Sequence, residues 1–137
     1  MKAVILGCGR VGSMLATRLV EQKWEVTAVD ANPDALATLG DHFPGRRISG
    51  RITDEEIMRA AGVPDSDMIV VLTSDDIVNL MAAQMARTRF NKDNVLVRVR
   101  DSIKAGAYRE LGLLTICPST IELDMILREI NIAAPKA

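Results

Sequence analysis

The chain opens on a short apolar run, Lys2-Ala3-Val4-Ile5-Leu6, that passes without a break into Gly7-Cys8-Gly9-Arg10-Val11-Gly12, and the next apolar run, 25–29, is followed by the acid Asp30. A strand that feeds a glycine-rich turn and then a helix leaves few folds open. Gly7 suits the tight strand-to-helix turn, Gly9 lets the backbone approach a pyrophosphate where a Cβ would intrude, and Gly12 lets the helix lie close on the sheet. The helix predicted from about Arg10 to Gln22 aims its unpaired N–H groups and the positive end of its dipole at such phosphates. Asp30 stands where a carboxylate accepts hydrogen bonds from both ribose hydroxyls of an adenosine. The same carboxylate repels a 2′-phosphate, and Ala31-Asn32-Pro33-Asp34 holds no arginine to receive one. NAD(H) or a simple adenine nucleotide is therefore favoured, and NADP disfavoured.

The rest of the chain keeps the same rhythm. Apolar runs at about 2–6, 25–29, 46–49, 67–72, 95–99 and 113–116 read as strands, with helical patterns between and after them. Alternation of this kind predicts an α/β fold: a Rossmann-like, doubly wound parallel sheet of about six strands with helices on both faces. The run Asp67-Met68-Ile69-Val70-Val71-Leu72 is continuous rather than alternating, as a central strand covered on both faces requires. With 137 residues, 48% hydrophobic and 26% charged, and no linker, repeat or charge block, a single domain spanning 1–137 is expected. A net charge of −1 with acids and bases interspersed excludes a nucleic-acid face and a polybasic membrane anchor. No apolar run reaches the roughly 20 residues that span a bilayer, and no signal sequence precedes the first strand, so a cytoplasmic location is expected. In that reducing compartment Cys8 and Cys117 read as small packing residues rather than a disulfide. A second reading gives Cys8 redox sensitivity, through a helix N-terminus that lowers its pKa.

Helix starts are signalled by Thr53-Asp54-Glu55-Glu56 and Ser119-Thr120-Ile121-Glu122, which fit the capping box, and by Ser74-Asp75-Asp76 ahead of Ile77. Asp75 and Asp76 read as capping acids, not metal ligands, and His42, the single histidine, reads as a solvent-facing loop residue. Two helices carry more apolar surface than one packing face needs. In the last, at about 119–132, Leu123, Ile126, Leu127 and Ile130 form one stripe and Ile121, Met125 and Ile132 another. One stripe is expected on the sheet, and the other needs a cover, either a second subunit or a missing domain. The helix at about 75–89, with Ile77, Val78, Leu80, Met81, Met85 and several alanines, repeats the pattern, and a homodimer is expected.

Several motifs in order, Gly-Cys-Gly-Arg-Val-Gly at 7–12, Asp30, Gly50 with Thr53-Asp54-Glu55, 67–73 leading to Asn79, Val97-Arg98-Val99 with Asp101, and Leu111-Gly112 ahead of a strand ending at Pro118, make the chain resemble a family. It is similar to the Trk/Ktr-type regulatory nucleotide-binding domains of potassium uptake systems and channels, the RCK N-terminal or TrkA-N family. The resemblance implies a dimeric or ring-forming cytoplasmic domain that binds NAD(H) or ATP/ADP, alternatively AMP, and gates a separate membrane potassium transporter or channel subunit without catalysis. It implies a phosphate loop of Gly7, Cys8, Gly9, Arg10, Val11 and Gly12, with Arg10 turned toward ligand phosphates, and Asp30 on the ribose. Thr73 and Ser74 would line the nucleotide past the switch point. Arg98 is a second candidate phosphate partner, or alternatively a charge paired with Asp101 or solvent. Two departures stand out. Where the family commonly has Gly-Asp-Ala-Thr, this chain has Gly50-Arg51-Ile52-Thr53, placing a base near the adenine edge, which favours a ligand with more negative charge. After Pro118, Ser119 takes the place of a glutamate associated with divalent cation, read here as an N-cap, so no metal site is expected. The smaller C-terminal domain of many members is not expected in these residues. The competing class is an NAD-dependent oxidoreductase, or its cofactor-binding fragment; six strands with their helices leave no room for a substrate domain, and no His, Lys or Tyr forms an acid/base constellation beyond the strand ends.

Overall fold

The computed structural model describes residues 1–135; residues 136 and 137, the end of the expected domain, lie outside the described residues. Its elements follow in strict alternation: β1 (Lys2–Leu6), α1 (Arg10–Glu21), β2 (Glu25–Asp30), α2 (Pro33–Ala37), β3 (Arg46–Ser49), α3 (Glu55–Ala60), a 3₁₀ turn (Val63–Asp65), β4 (Met68–Val71), α4 (Asp76–Thr88), β5 (Val95–Arg98), α5 (Ser102–Glu110), β6 (Leu114–Ile116) and α6 (Pro118–Ala133). The six strands form one sheet in the order β3-β2-β1-β4-β5-β6, every pairing parallel. The chain therefore winds outward from β1 to β3 and, after one long crossover, outward again from β4 to β6. The switch point falls between β1 and β4, where a crevice opens at the carboxyl ends of the strands.

Both faces of the central strands are dry, which is why their sequences are continuous apolar runs. Val4, Leu6, Val29, Ile69, Val71, Val95 and Val97 pack against Met58 of α3, Ala82, Ala83 and Ala86 of α4, and Ala105 and Tyr108 of α5. On the other face Ile5, Val26, Val70 and Leu72 pack with Ala16, Leu15 and Leu19 of α1. The small side chains on α4 bring that helix close to the sheet. Its larger residues Ile77 and Met81 stay exposed, so the excess apolar surface expected on this helix is real.

The last helix departs from expectation. No residue of α6 is buried, so neither of its two stripes packs on its own sheet. The α1-side face of the β5–β6 edge is bare as well: Leu114 and Ile116, register partners of Leu96 and Arg98, are exposed. Ser119 is also not the N-cap. Pro118 occupies the first helical position and Cys117 the cap, with no side-chain cap bond, because a proline with its φ already set starts a helix without needing a capping hydroxyl. At α3 the cap is Asp54, one residue after Thr53, and at α4 it is Asp75, as expected.

Candidate functional site

The β1–α1 loop is held from three sides. Gly7 has φ +109°, a left-handed value that L side chains rarely adopt, and a Cβ there would lie 2.8 Å from the Thr73 backbone nitrogen. A Cβ on Gly12 would meet the Gly7 carbonyl oxygen at 2.3 Å. These two glycines are required by the protein itself. Gly9 is different: its backbone is extended, it caps α1 without any side-chain hydrogen bond, and a Cβ there would meet nothing within 4 Å. The bare α-carbon of Gly9 faces open space at the N-terminus of a 12-residue helix, a cradle that a side chain would fill.

Asp30 ends β2 and locks the loop from the side. Its Oδ2 accepts from the Cys8 backbone N–H at 2.8 Å and its Oδ1 from the Asn32 N–H at 2.9 Å, while the Gly7 N–H donates to the Val29 carbonyl at 2.8 Å. The carboxylate is thus oriented by backbone alone, with lone pairs left over for a ligand, since an ionised carboxylate has about four acceptor sites. Cys8 is fully buried beneath this loop. Burial first, and then the nearby Asp30 charge, raise its thiol pKa, with Arg47 opposing. The redox-sensitive reading of Cys8 is corrected accordingly: burial and the carboxylate outweigh the helix N-terminus.

A cavity of about 570 Å³ lies over the strand ends. It runs from the β3–α3 loop (Arg51, Ile52, Thr53) across β2 (Asp30, Ala31) and the glycine loop (Gly7, Gly9) to the β4 end (Leu72, Thr73, Ser74, Asp75), Val78 of α4 and Arg98 of β5. Seven of the expected site residues therefore meet at one opening: Gly7, Gly9, Asp30, Arg51, Thr73, Ser74 and Arg98. Cys8 and Gly12 support the loop from within, and Arg10 and Val11 stand exposed at the start of α1, outside the wall of this cavity.

The β4 side is organised by Asn79, which is fully buried. Its Nδ2 donates to the Thr73 and Arg98 carbonyls, both at 3.0 Å; its Oδ1 accepts from the Thr73 N–H at 3.1 Å and from the Thr73 hydroxyl. One amide so fastens the ends of two neighbouring strands. The sequence marked Asn79 only by its place in a motif; a polar residue amid the alanines of an apolar helix was the signal of a bracket. Asp75 caps α4 through Ile77 and Val78 N–H, whereas Asp76 reaches the next loop and accepts from the Arg100 N–H at 2.9 Å and the Asp101 N–H at 3.1 Å. Arg98 follows neither expected alternative to phosphate binding. It does not pair with Asp101; its Nη2 donates to the carbonyls of Leu72 at 2.5 Å and Thr73 at 3.2 Å, and its Nε is buried without a partner among the described residues. Burial first, then Arg100, lower its pKa, and Asp76 works the other way.

The arrangement fits a nucleotide: a helix N-terminus with a cradle at Gly9, a fixed carboxylate beside it, and an unmet donor across the switch point. The TrkA-N domain model matches residues 3–118. The chain belongs to the TrkA-N domain family. A Trk system potassium uptake protein from Streptomyces coelicolor is 37% identical over 130 residues, which are 95% of this chain and 58% of that protein. The chain thus spans little more than half the length of this relative. Among solved structures, the TrkA-N domain of the Escherichia coli inner membrane protein ybaL superposes with TM-score 0.84 at 18% identity, covering 94% of this chain and 96% of that one. The Shewanella denitrificans Kef CTD in AMP-bound form gives 0.78 at 18% identity, over 95% and 81%. The GsuK channel bound to NAD gives 0.71 at 18%, over 85% and 21%. These likenesses show the fold alone. Among the described residues, no helix is long and apolar enough to cross a membrane.

Proposed function

We propose that this TrkA-N domain is the nucleotide sensor of a potassium uptake system, binding NAD(H) or ATP/ADP, alternatively AMP, on the cytoplasmic side and biasing a separate membrane transporter or channel subunit. The observation that carries the reading is Gly9. Of the three loop glycines it alone has no protein neighbour that excludes a side chain, so its bareness serves something outside the chain. The phosphates sit on the α1 amides, and Asp30 takes the ribose hydroxyls and excludes a 2′-phosphate. The AMP and NAD in the titles of two structural neighbours, and the name of the Streptomyces relative, support the ligand class and the potassium link.

Regulation follows from differential affinity. A nucleotide that binds one arrangement of the assembly more tightly than another shifts its population, whereas equal binding shifts nothing. The assembly is a homodimer or larger ring, formed where the exposed α6 of one copy covers apolar surface on another. Catalysis has no part in this reading: of the acids at the cavity, Asp75 caps a helix and Asp30 is bonded to two backbone amides. The test is calorimetric titration with NAD, NADH, ATP, ADP, AMP and NADP. Binding of at least one of the first five, lost in Gly9→Val with folding intact, is expected, with NADP weaker than NAD. A flat response to all sinks the sensor, and nucleotide-dependent turnover of a small alcohol or carbonyl compound would restore the oxidoreductase.

A further inference from the structure

The amino ends of the strands, across the sheet from the nucleotide cavity, hold a second opening. Three strands start there on a charge: Lys2 opens β1, Glu25 opens β2 and Arg46 opens β3. Lys2 stands opposite Glu25 in the register, and Arg46 opposite Thr27, two residues further along β2, so the four share one face of the sheet. It is the face that α3 covers, since Val4, the other register partner of Thr27, packs with Met58 and Ala61. Helix α3 has only 6 residues, and at Gly62, φ +85°, the chain turns off it into the 3₁₀ turn that carries Asp65. The strand starts stay exposed, and a cavity of about 460 Å³ lies between them and that turn, with Trp24 in its wall.

The polar groups around this cavity are unmet. Of the buried polar residues, Ser66 and Asn79 have hydrogen-bonded side chains. Thr27, only 8% exposed, borders the cavity, and its hydroxyl has no partner among the described residues. A hydroxyl largely stripped of water and left unbonded carries a cost that a ligand atom removes. The charges are unmet as well. Lys2, Glu25, Arg46 and Asp65 all line the cavity, yet no two of them form an ion pair; the ion pair among the described residues is Arg59 with Glu55. Arg46 gives one Nη2 hydrogen bond, to the Ala60 carbonyl at 2.8 Å, and keeps the rest of its fork free. Two cations and two anions around one cavity suit neither a bare anion nor a bare cation. They suit a molecule that carries both charges.

We propose that this cavity binds a small zwitterion, an α-amino acid with an apolar side chain. The carboxylate takes the free part of the Arg46 fork and the Thr27 hydroxyl, since a guanidinium and a carboxylate match in shape and charge. The ammonium lies with Glu25 and Asp65, and the apolar side chain rests on Trp24. Lys2, exposed at the rim, stays in water. This site lies at the other end of the strands from the glycine loop, shares no residue with the nucleotide cavity, and stands without the nucleotide reading.

Trp24 is the single tryptophan of the chain, so its emission reports on this cavity. The test is fluorescence and calorimetric titration of the protein with L-leucine, with isocaproate, which lacks the ammonium, and with isoamylamine, which lacks the carboxylate. Leucine is expected to bind saturably in the millimolar range or better, and each analogue at least about tenfold more weakly, the scale of one charge-assisted hydrogen bond. Arg46→Gln and Thr27→Val should bring leucine down to the level of isoamylamine while keeping its lead over isocaproate. Glu25→Gln combined with Asp65→Asn should do the reverse. A variant that merely loosens the fold loses all three ligands alike, so the crossed pattern reads the two poles of the site and not stability. No saturable binding of leucine to the wild type, or analogues that equal it there, overturns the proposal.

Discussion

A methyl group on Gly12 would press on the Gly7 carbonyl, whereas one on Gly9 would touch nothing in the protein. The two substitutions should therefore separate stability from binding. Gly12→Ala is expected to cost about 1–3 kcal/mol in urea denaturation through overpacking. Gly9→Ala should stay within about 0.5 kcal/mol of wild type, because its backbone is extended and open to any residue, yet should weaken nucleotide affinity. Asn79→Ala removes the bracket between two strand ends and leaves backbone groups of Thr73 and Arg98 without their partner, at about 1–3 kcal/mol for each one kept from water. Cys8, buried with a raised pKa, should resist alkylation in the native protein at pH 8 and react once unfolded, as mass spectrometry of its peptide would show; rapid native labelling would contradict the burial. At this scale the sequence spoke clearly where one residue type has one use, as with Gly7 and Gly12; it placed Asp30 beside the loop without foreseeing that its carboxylate accepts from the Cys8 and Asn32 N–H groups. It was ambiguous where a flexible side chain chooses among partners: Arg98 reached the carbonyls of Leu72 and Thr73, 26 and 25 positions earlier in the chain, and Asp76 served the β5–α5 loop rather than its own helix.

Among the elements, all six strands lie where the sequence reading put them, with ends differing by a residue or so; β1, β2 and β4, buried along most of their length, have little choice of composition, whereas β3 and β6 are largely exposed. Short α2 has no amphipathic period to announce it; Asn32 as cap and Pro33 at its start carry it. The capping pattern at Ser119 misled because Pro118, one residue earlier, had already fixed the start of α6. The acid ahead of α4 was read correctly, and Asp75→Ala should cost about 1 kcal/mol in thermal or urea unfolding, the usual worth of a cap. Helix α6 is the element whose pattern and placement disagree most. Its apolar residues looked like core, yet Ile121, Met125, Ile126 and Ile130 form with Ile116 and Pro118 an exposed groove of about 570 Å³. With stripes on two sides and no buried residue, α6 is left incompletely covered by the described residues.

For the whole molecule, that incompleteness predicts self-association. Light scattering should report a dimer or larger species at micromolar concentration, and Ile126→Glu with Ile130→Glu should yield a monomer that is still folded, since neither side chain is buried within its own chain. A wild-type monomer across that range would remove α6 as a self-association surface. The glycine loop has a different consequence under the proposed nucleotide sensing. Gly7 is tied to Val29, Cys8 to Asp30, and Asp30 to Asn32 before any ligand arrives. An arriving phosphate thus meets a receptor already in shape, with no segment to order first. The encounter should be a single collision-limited event, so the protein can follow a changing nucleotide level with little lag, and its memory of the last level is set by the departure rate alone.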